Sequence, residues 1–181
     1  MEIKLKTINI EDKEKLLEML KEYEESELIP NIDRYEGIRS FELLNDMKFE
    51  EWLAKIKKEE ITCPKEFSTH TLYMAFDEND QIIGLIDNRW NEVPVLMEFG
   101  GLIGYSVRPS KRGNGFANQM LKLSLSKMWE SGKKEVLISC KDFNIASKRT
   151  IEKNNGKYIE TYHNEEDGYV YLKYIIYKEN N

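Results

Sequence analysis

Cysteine is nearly absent from this chain. Only Cys63 and Cys140 occur in 181 residues, far apart and in no CxxC pair. A disulfide framework is thereby excluded, and so is a cysteine-based zinc motif. Histidine is equally scarce: His70 and His163 stand in no metal-ligand pattern, so no metal is expected. Ten glycines and four prolines are too few for collagen-like or low-complexity order. No apolar run approaches the ~20 residues that cross a bilayer. The opening MEIKLKTINIEDKEKLLEML lacks the charged, apolar and small-residue series of a secretory signal. The expectation is a cytoplasmic protein with no membrane partner. A basic excess is also missing: Lys and Arg total 27 against 33 Asp and Glu, for a net charge of −6. A nucleic-acid partner is therefore not expected. Solubility accounts for this balance, and a cationic substrate is compatible with it.

What is present is a globular composition. Hydrophobic residues make up 40%, with ten Tyr, seven Phe and three Trp, unlike the aromatic-poor composition of disordered chains. The length suits one domain, residues 1–181, with a sizeable core.

Hydrophobic periodicity orders the elements. Residues 2–8 alternate as a strand. Asn9 and Asp12 mark a helix start, and Leu16, Met19, Leu20 and Tyr23 predict a helix over 10–25. The stretch 26–65 reads poorly. Phe49, Trp52, Leu53 and Ile56 predict a helix over 46–58, preceded by a loop with a short helix. Two strands, 71–76 and 81–90, flank the turn residues 77–80 as a hairpin. Residues 93–101 read as irregular. A strand over 102–107 stops at Pro109, and a helix over 115–131 ends near Gly132. A strand at 135–140, a helix at 144–153 and strands at 157–163 and 168–177 complete a mixed α/β domain with a central sheet.

The segment from Leu102 to Ala117 carries the chemistry. A strand ends, a basic turn follows with Arg108, Lys111 and Arg112, and Gly113 and Gly115 open an amphipathic helix. Free N–H groups and the positive end of a helix dipole make such a start an anion site. Glycines let a phosphate oxygen approach the backbone, and a guanidinium can grip it with two bonds. The GxxxxGK[ST] of a nucleotide P-loop is absent, and the dinucleotide fingerprint fails after Gly115 and sits too late in the chain.

Arg112-Gly113-Asn114-Gly115-Phe116-Ala117 resembles the R/Q-x-x-G-x-G/A signature of the GNAT superfamily of acyl-CoA-dependent N-acyltransferases. Asn144-Ile145-Ala146-Ser147, followed by Glu152-Lys153-Asn154-Asn155-Gly156, resembles its second signature, one strand later. The resemblance spans about residues 71–177 and implies a mostly antiparallel mixed sheet flanked by helices. It implies acetyl-CoA as donor and an amine as acceptor. It assigns the pyrophosphate to the backbone amides of Arg112 through Ala117, the pantetheine arm to backbone groups of Ser106 and Val107, and the thioester end to Asn144, with Ser147 nearby. Family members often dimerise, and the final strand offers a surface for pairing two copies.

The family's usual glutamate and tyrosine are replaced here by Leu102 and Ile151. Glu98, just before the motif strand, is a candidate substitute base, through a water, with a solvated loop carboxylate as the alternative; Tyr105, Tyr158 and Tyr162 are candidate acids or simply sheet aromatics. A catalytically silent acyl-CoA-binding or sensor domain is the alternative. Glu22, Glu24, Glu25, Glu27, Asp33 and Glu36 would favour a polyamine, an aminoglycoside or a basic peptide end if they line the acceptor groove. A charged surface helix explains them equally well.

Overall fold

The structure is a computed structural model that describes residues 2–30 and 32–179. The chain opens with strand β1 (Lys4–Thr7). A single 3-10 turn, capped reciprocally by Asn9 and Asp12, leads into helix α1 (Lys13–Glu25), which buries Leu16, Met19, Leu20 and Tyr23 on one side. Short α2 (Arg39–Glu42) and a 3-10 turn at Leu43–Asn45 precede α3 (Phe49–Glu59). The hairpin β2 (His70–Phe76) and β3 (Ile82–Arg89) follows, with Asp77 Oδ1 accepting the Asn79 and Gln81 amides in its turn. The stretch read as irregular contains one π-helical turn, Leu96–Gly100, closed by Gly101 N–H to Leu96 O at 2.6 Å. Then come β4 (Ile103–Val107), α4 (Phe116–Glu130), β5 (Glu135–Lys141), α5 (Ile145–Lys153), β6 (Lys157–His163) and β7 (Val170–Tyr177).

The strands form two antiparallel sheets, in the orders β1-β2-β3-β4 and β5-β7-β6. The first is covered on both faces, which is why β3 is buried along nearly its whole length and opens with the apolar run Ile82–Ile86. On one face, Tyr23, Phe41, Trp52 and Phe49 pack with Leu72, Met74 and Leu85. On the other, Met120, Leu121, Leu125 and Met128 of α4 join Ile83, Ile86, Ile103, Val136 and Ile138. Each such side chain contributes about 1.5–3 kcal/mol through burial. Among the described residues, no helix is long and apolar enough to cross a membrane.

The two sheets meet at one β-bridge, Gly101 with Ile138, reinforced by Leu102 N–H donating to Leu137 O at 2.8 Å. Beyond it, β4 has β3 on one side and no strand on the other. Arg89 N–H donates to Leu102 O, and Arg108 N–H to Ile83 O, at the two ends of an unbroken register. Antiparallel pairing alternates, so Gly104 and Ser106 turn their main-chain groups to β3, while Ile103, Tyr105 and Val107 turn theirs into the gap.

Gly101 adopts φ 70° and ψ 173°, a region left to glycine, and a Cβ there would lie 2.8 Å from Ile138 Cα. Gly101→Ala should therefore destabilise the protein by about 1–3 kcal/mol; the urea unfolding midpoint checks this.

Candidate active site

The gap beside β4 has three walls: the outward edge of β4, the end of β5 and the start of α5. At its outer end lies the turn into α4. Gly113 and Gly115 both have positive φ (80° and 77°), and a Cβ on either would meet nothing within 4 Å. Their backbone is thus open to an incoming group. Residues at the start of α4 present N–H groups with no intrahelical acceptor, and the helix dipole makes this point electropositive. A phosphate group fits such a cradle. Asn114 braces the turn, its Nδ2 donating to the carbonyls of Lys111 and Arg112 at 3.2 and 3.1 Å. Phe116 is buried in the core and anchors the helix start, while Ala117 continues its first turn.

Two of the expected backbone contacts need correction. The Arg112 amide donates to Pro109 O at 3.2 Å within a 3-10 turn, so the open amides begin at Gly113. The Arg112 side chain instead spans the wall: Nε donates to Val107 O at 3.2 Å, and the guanidinium lies 5.7 Å from the Tyr23 ring centroid. Ser106 pairs with Leu85 in the hydrogen-bonding phase of the β3–β4 ladder, and its hydroxyl accepts from Tyr23 Oη at 2.8 Å. Its backbone therefore cannot pair with an added arm. Val107 keeps an outward N–H and Ile103 joins it, while Gly37 packs against the main chain at Tyr105.

The basic turn is also less cationic than its composition implied. Arg108 is held by Glu22 and by Glu18 at 2.7 Å, and Glu22 Oε1 accepts the Ser110 amide at 2.6 Å. Burial alone would raise the Glu22 pKa, but the Ser110 amide and Arg108 outweigh it and hold it below the ordinary 4.5. Lys111 Nζ donates to Gln81 Oε1 at 2.8 Å. Arg108 thus ties α1 to the turn and offers little to a phosphate.

At the inner end, Asn144 caps α5: its Oδ1 accepts the Ser147 amide at 3.1 Å. Ser147 Oγ lies 2.9 Å from the Tyr105 hydroxyl, so β4 and α5 meet across the gap. Burial pushes the Tyr105 pKa up despite this bond, which keeps its proton in place at neutral pH. Cys140, on β5, is buried, and burial pushes its thiol up to about 11, so it is a packed thiol and not a nucleophile. Tyr158 is 56% exposed on β6, bonds Thr161 on its own strand and packs edge-on against Tyr174. Glu98 is exposed on the π-helical turn, and its charge raises the pKa of Tyr162, which places the two near each other. Leu102 and Ile151 are buried in the core.

Sequence reasoning missed a fourth wall. The Asp33–Gly37 segment lies against β4, with Gly37 so close to the Tyr105 backbone that a Cβ would sit 2.6 Å from its carbonyl oxygen. Lys141, at the end of β5 and 1% exposed, pairs with Glu36 at 3.1 Å and Asp33 at 3.4 Å and stacks over Tyr169. Its burial would lower its pKa, but Glu36 and Asp33 raise it, so it stays charged. The tether joins residues about a hundred positions apart, and only the single lysine ending a strand hinted at it. Among the described residues, no group of three or more His, Cys, Asp or Glu is arranged to hold a metal ion.

The family model described as an acetyltransferase (GNAT) domain matches residues 2–157. No curated protein sequence matches the chain. Solved structures share the fold. A spermidine N-acetyltransferase chimera from Vibrio cholerae and hSSAT has a TM-score of 0.66 at 12% identity, over 98% of this chain and 96% of that one. The Salmonella typhimurium acetyltransferase that modifies the N-terminal serine of ribosomal protein L7/L12 has 0.66 at 15%, over 98% and 95%. The structure of yncA from Salmonella typhimurium with its cofactor acetyl-CoA has 0.62 at 11%, over 99% and 95%.

The Asn144 cap yields a separable prediction. Asn144→Ala should cost about 1 kcal/mol in urea unfolding, while Asn144→Asp should preserve stability.

Proposed function

The chain belongs to the GNAT acetyltransferase family, and from that premise we propose that residues 1–181 act as one domain transferring an acetyl group from acetyl-CoA to a primary amine of a small molecule or protein. One observation carries this reading: the glycine-opened start of α4 adjoins the unpaired edge of β4, so a phosphate cradle continues directly into an extended-chain slot.

Acetyl-CoA would supply a thioester carbonyl open to amine attack and a thiolate leaving group. The chain's part is placement and charge. Amides from Gly113 to Ala117 hold the pyrophosphate, with the Arg112 side chain alongside. The outward groups of Ile103 and the outward N–H of Val107 would pair with the pantetheine arm as an added strand does. An outward N–H of β4 receives the developing oxyanion, a contribution of about 2.7–4 kcal/mol in comparable sites. Asn144 and Ser147 bound the thioester end. Glu98 takes the ammonium proton through a water, and Tyr105, whose proton is retained, returns one to the departing sulfur.

The acceptor reading narrows as well. Glu22 is tied to Arg108, Glu24 accepts from Tyr35, and Asp33 and Glu36 pair with Lys141. These carboxylates are already partnered, which supports an acceptor carrying one amine over a polycation. The burial of Leu102 and Ile151, where the family's usual reactive groups stand, favours a second reading, a silent acyl-CoA-binding domain.

Thiol release from acetyl-CoA over a panel of monoamines, diamines and peptide N-termini decides between them. Release with a monoamine or peptide supports transfer; binding without release across the panel supports the silent domain. Gly115→Val should weaken acetyl-CoA binding by about tenfold or more, through loss of at least one phosphate hydrogen bond. Glu98→Gln should remove the acidic limb of the kcat/KM pH profile; an unchanged limb excludes Glu98 as the base.

A further inference from the structure

Four charged side chains run in a row beneath the start of β4. Glu59 Oε2, at the end of α3, lies 3.2 Å from His70 Nε2. His70 Nδ1 lies 2.6 Å from Asp87 Oδ1. Asp87 Oδ2 accepts from Arg89 Nε at 3.2 Å. Arg89 Nη1 then donates to the carbonyls of Gly100 and Gly101, at 3.3 and 3.1 Å. The row ends on Gly101, which bridges the two sheets, and on Gly100 just before it. It is well shielded: the side chains of His70 and Asp87 are only 13% and 10% exposed.

The protonation state follows from the partners. A neutral imidazole has one N–H and can donate from only one nitrogen. Here each ring nitrogen faces a carboxylate, so only the imidazolium satisfies both. Charge then alternates along the row, negative, positive, negative, positive. Each carboxylate is held by cations, Glu59 also by Lys55, so none of the four is placed to act as a free base.

We propose that protonated His70 is a positioning residue: through Asp87 and Arg89 it fixes the carbonyls of Gly100 and Gly101, and with them the point where β4 parts from β5 and the direction of the Ile103 N–H just beyond. Its bearing on acetyl transfer rests on the reading of this gap as the acyl-CoA channel. Its bearing on the junction does not.

The charged groups facing the ring are Asp87 from β3 and Glu59 from α3. Burial alone would lower the His70 pKa, but these two carboxylates outweigh it and raise it above 6.5. A raised pKa in the folded state means that this contribution is complete below the ordinary histidine value. It is lost as pH rises through the raised one.

The test is amide hydrogen exchange on the intact protein, followed from pH 5 to 9 and corrected for the intrinsic rate. Peptides covering 100–105 in the wild type should lose roughly tenfold protection as pH rises above the His70 value, with those of β5 and β7 unchanged. His70→Gln should show the exposed level at every pH and no such step. Protection of 100–105 that is flat with pH in the wild type overturns the proposal, whether or not the variant folds. In the thiol-release assay, His70→Gln should lower kcat by roughly tenfold and leave the KM for acetyl-CoA within about twofold. Normal kcat and an unaltered pH profile would also overturn it. A wild type that shows the exchange step but releases no thiol would instead contradict the proposed activity.

Discussion

Everything in the cleft depends on one short contact. The bridge between Gly101 and Ile138, with Leu102 N–H on Leu137 O, joins two sheets that share no further ladder among the described residues. Had β4 and β5 paired along their length, the main-chain groups of Ile103, Tyr105 and Val107 would be used up and no slot would exist. Had they not met at all, only the apolar packing that both sheets share with α4 would relate them. Glycine at 101 makes the meeting possible, because neither its φ nor the 2.8 Å approach to Ile138 Cα tolerates a side chain.

Charge around the cleft is spent mainly on holding its walls. Arg108 clamps α1 to the turn before α4, Lys141 tethers the Asp33–Gly37 segment to β5, and Arg89 braces the junction from below. The groups proposed to face acetyl-CoA are instead mainly backbone amides, fixed in direction and unable to titrate. That division suits acyl transfer, where preorganised donors cost no reorientation as charge develops on the oxyanion.

Much of this was legible in the sequence because it is local. The 3.6-residue spacing of Leu16, Met19, Leu20 and Tyr23, the Asn144 cap and the two glycines at 113 and 115 each determine structure within a few residues. The family signature rides on those same local features. What escaped was non-local. Ser106 and Val107 looked alike on one strand, and only the register with β3 shows that alternate residues face the gap. The acidic stretch 22–36 looked like a substrate surface because its partners, Arg108 and Lys141, lie 86 to 108 residues away. The His70 row was within reach: the hairpin turn at 77–80 sets His70 opposite Arg89 and diagonal to Asp87. The irregular reading of 93–101 failed because a π-helical turn has no hydrophobic period of its own to detect.

The most direct measurement is a calorimetric titration of the wild-type protein with acetyl-CoA, repeated with dephospho-CoA and with pantetheine. A cradle at the start of α4 leading into a slot beside β4 predicts saturable binding of acetyl-CoA, retention of most of the affinity by dephospho-CoA, which keeps the pyrophosphate, and a large loss with pantetheine, which lacks it. Equal binding of pantetheine and acetyl-CoA, or no binding of either, would contradict it.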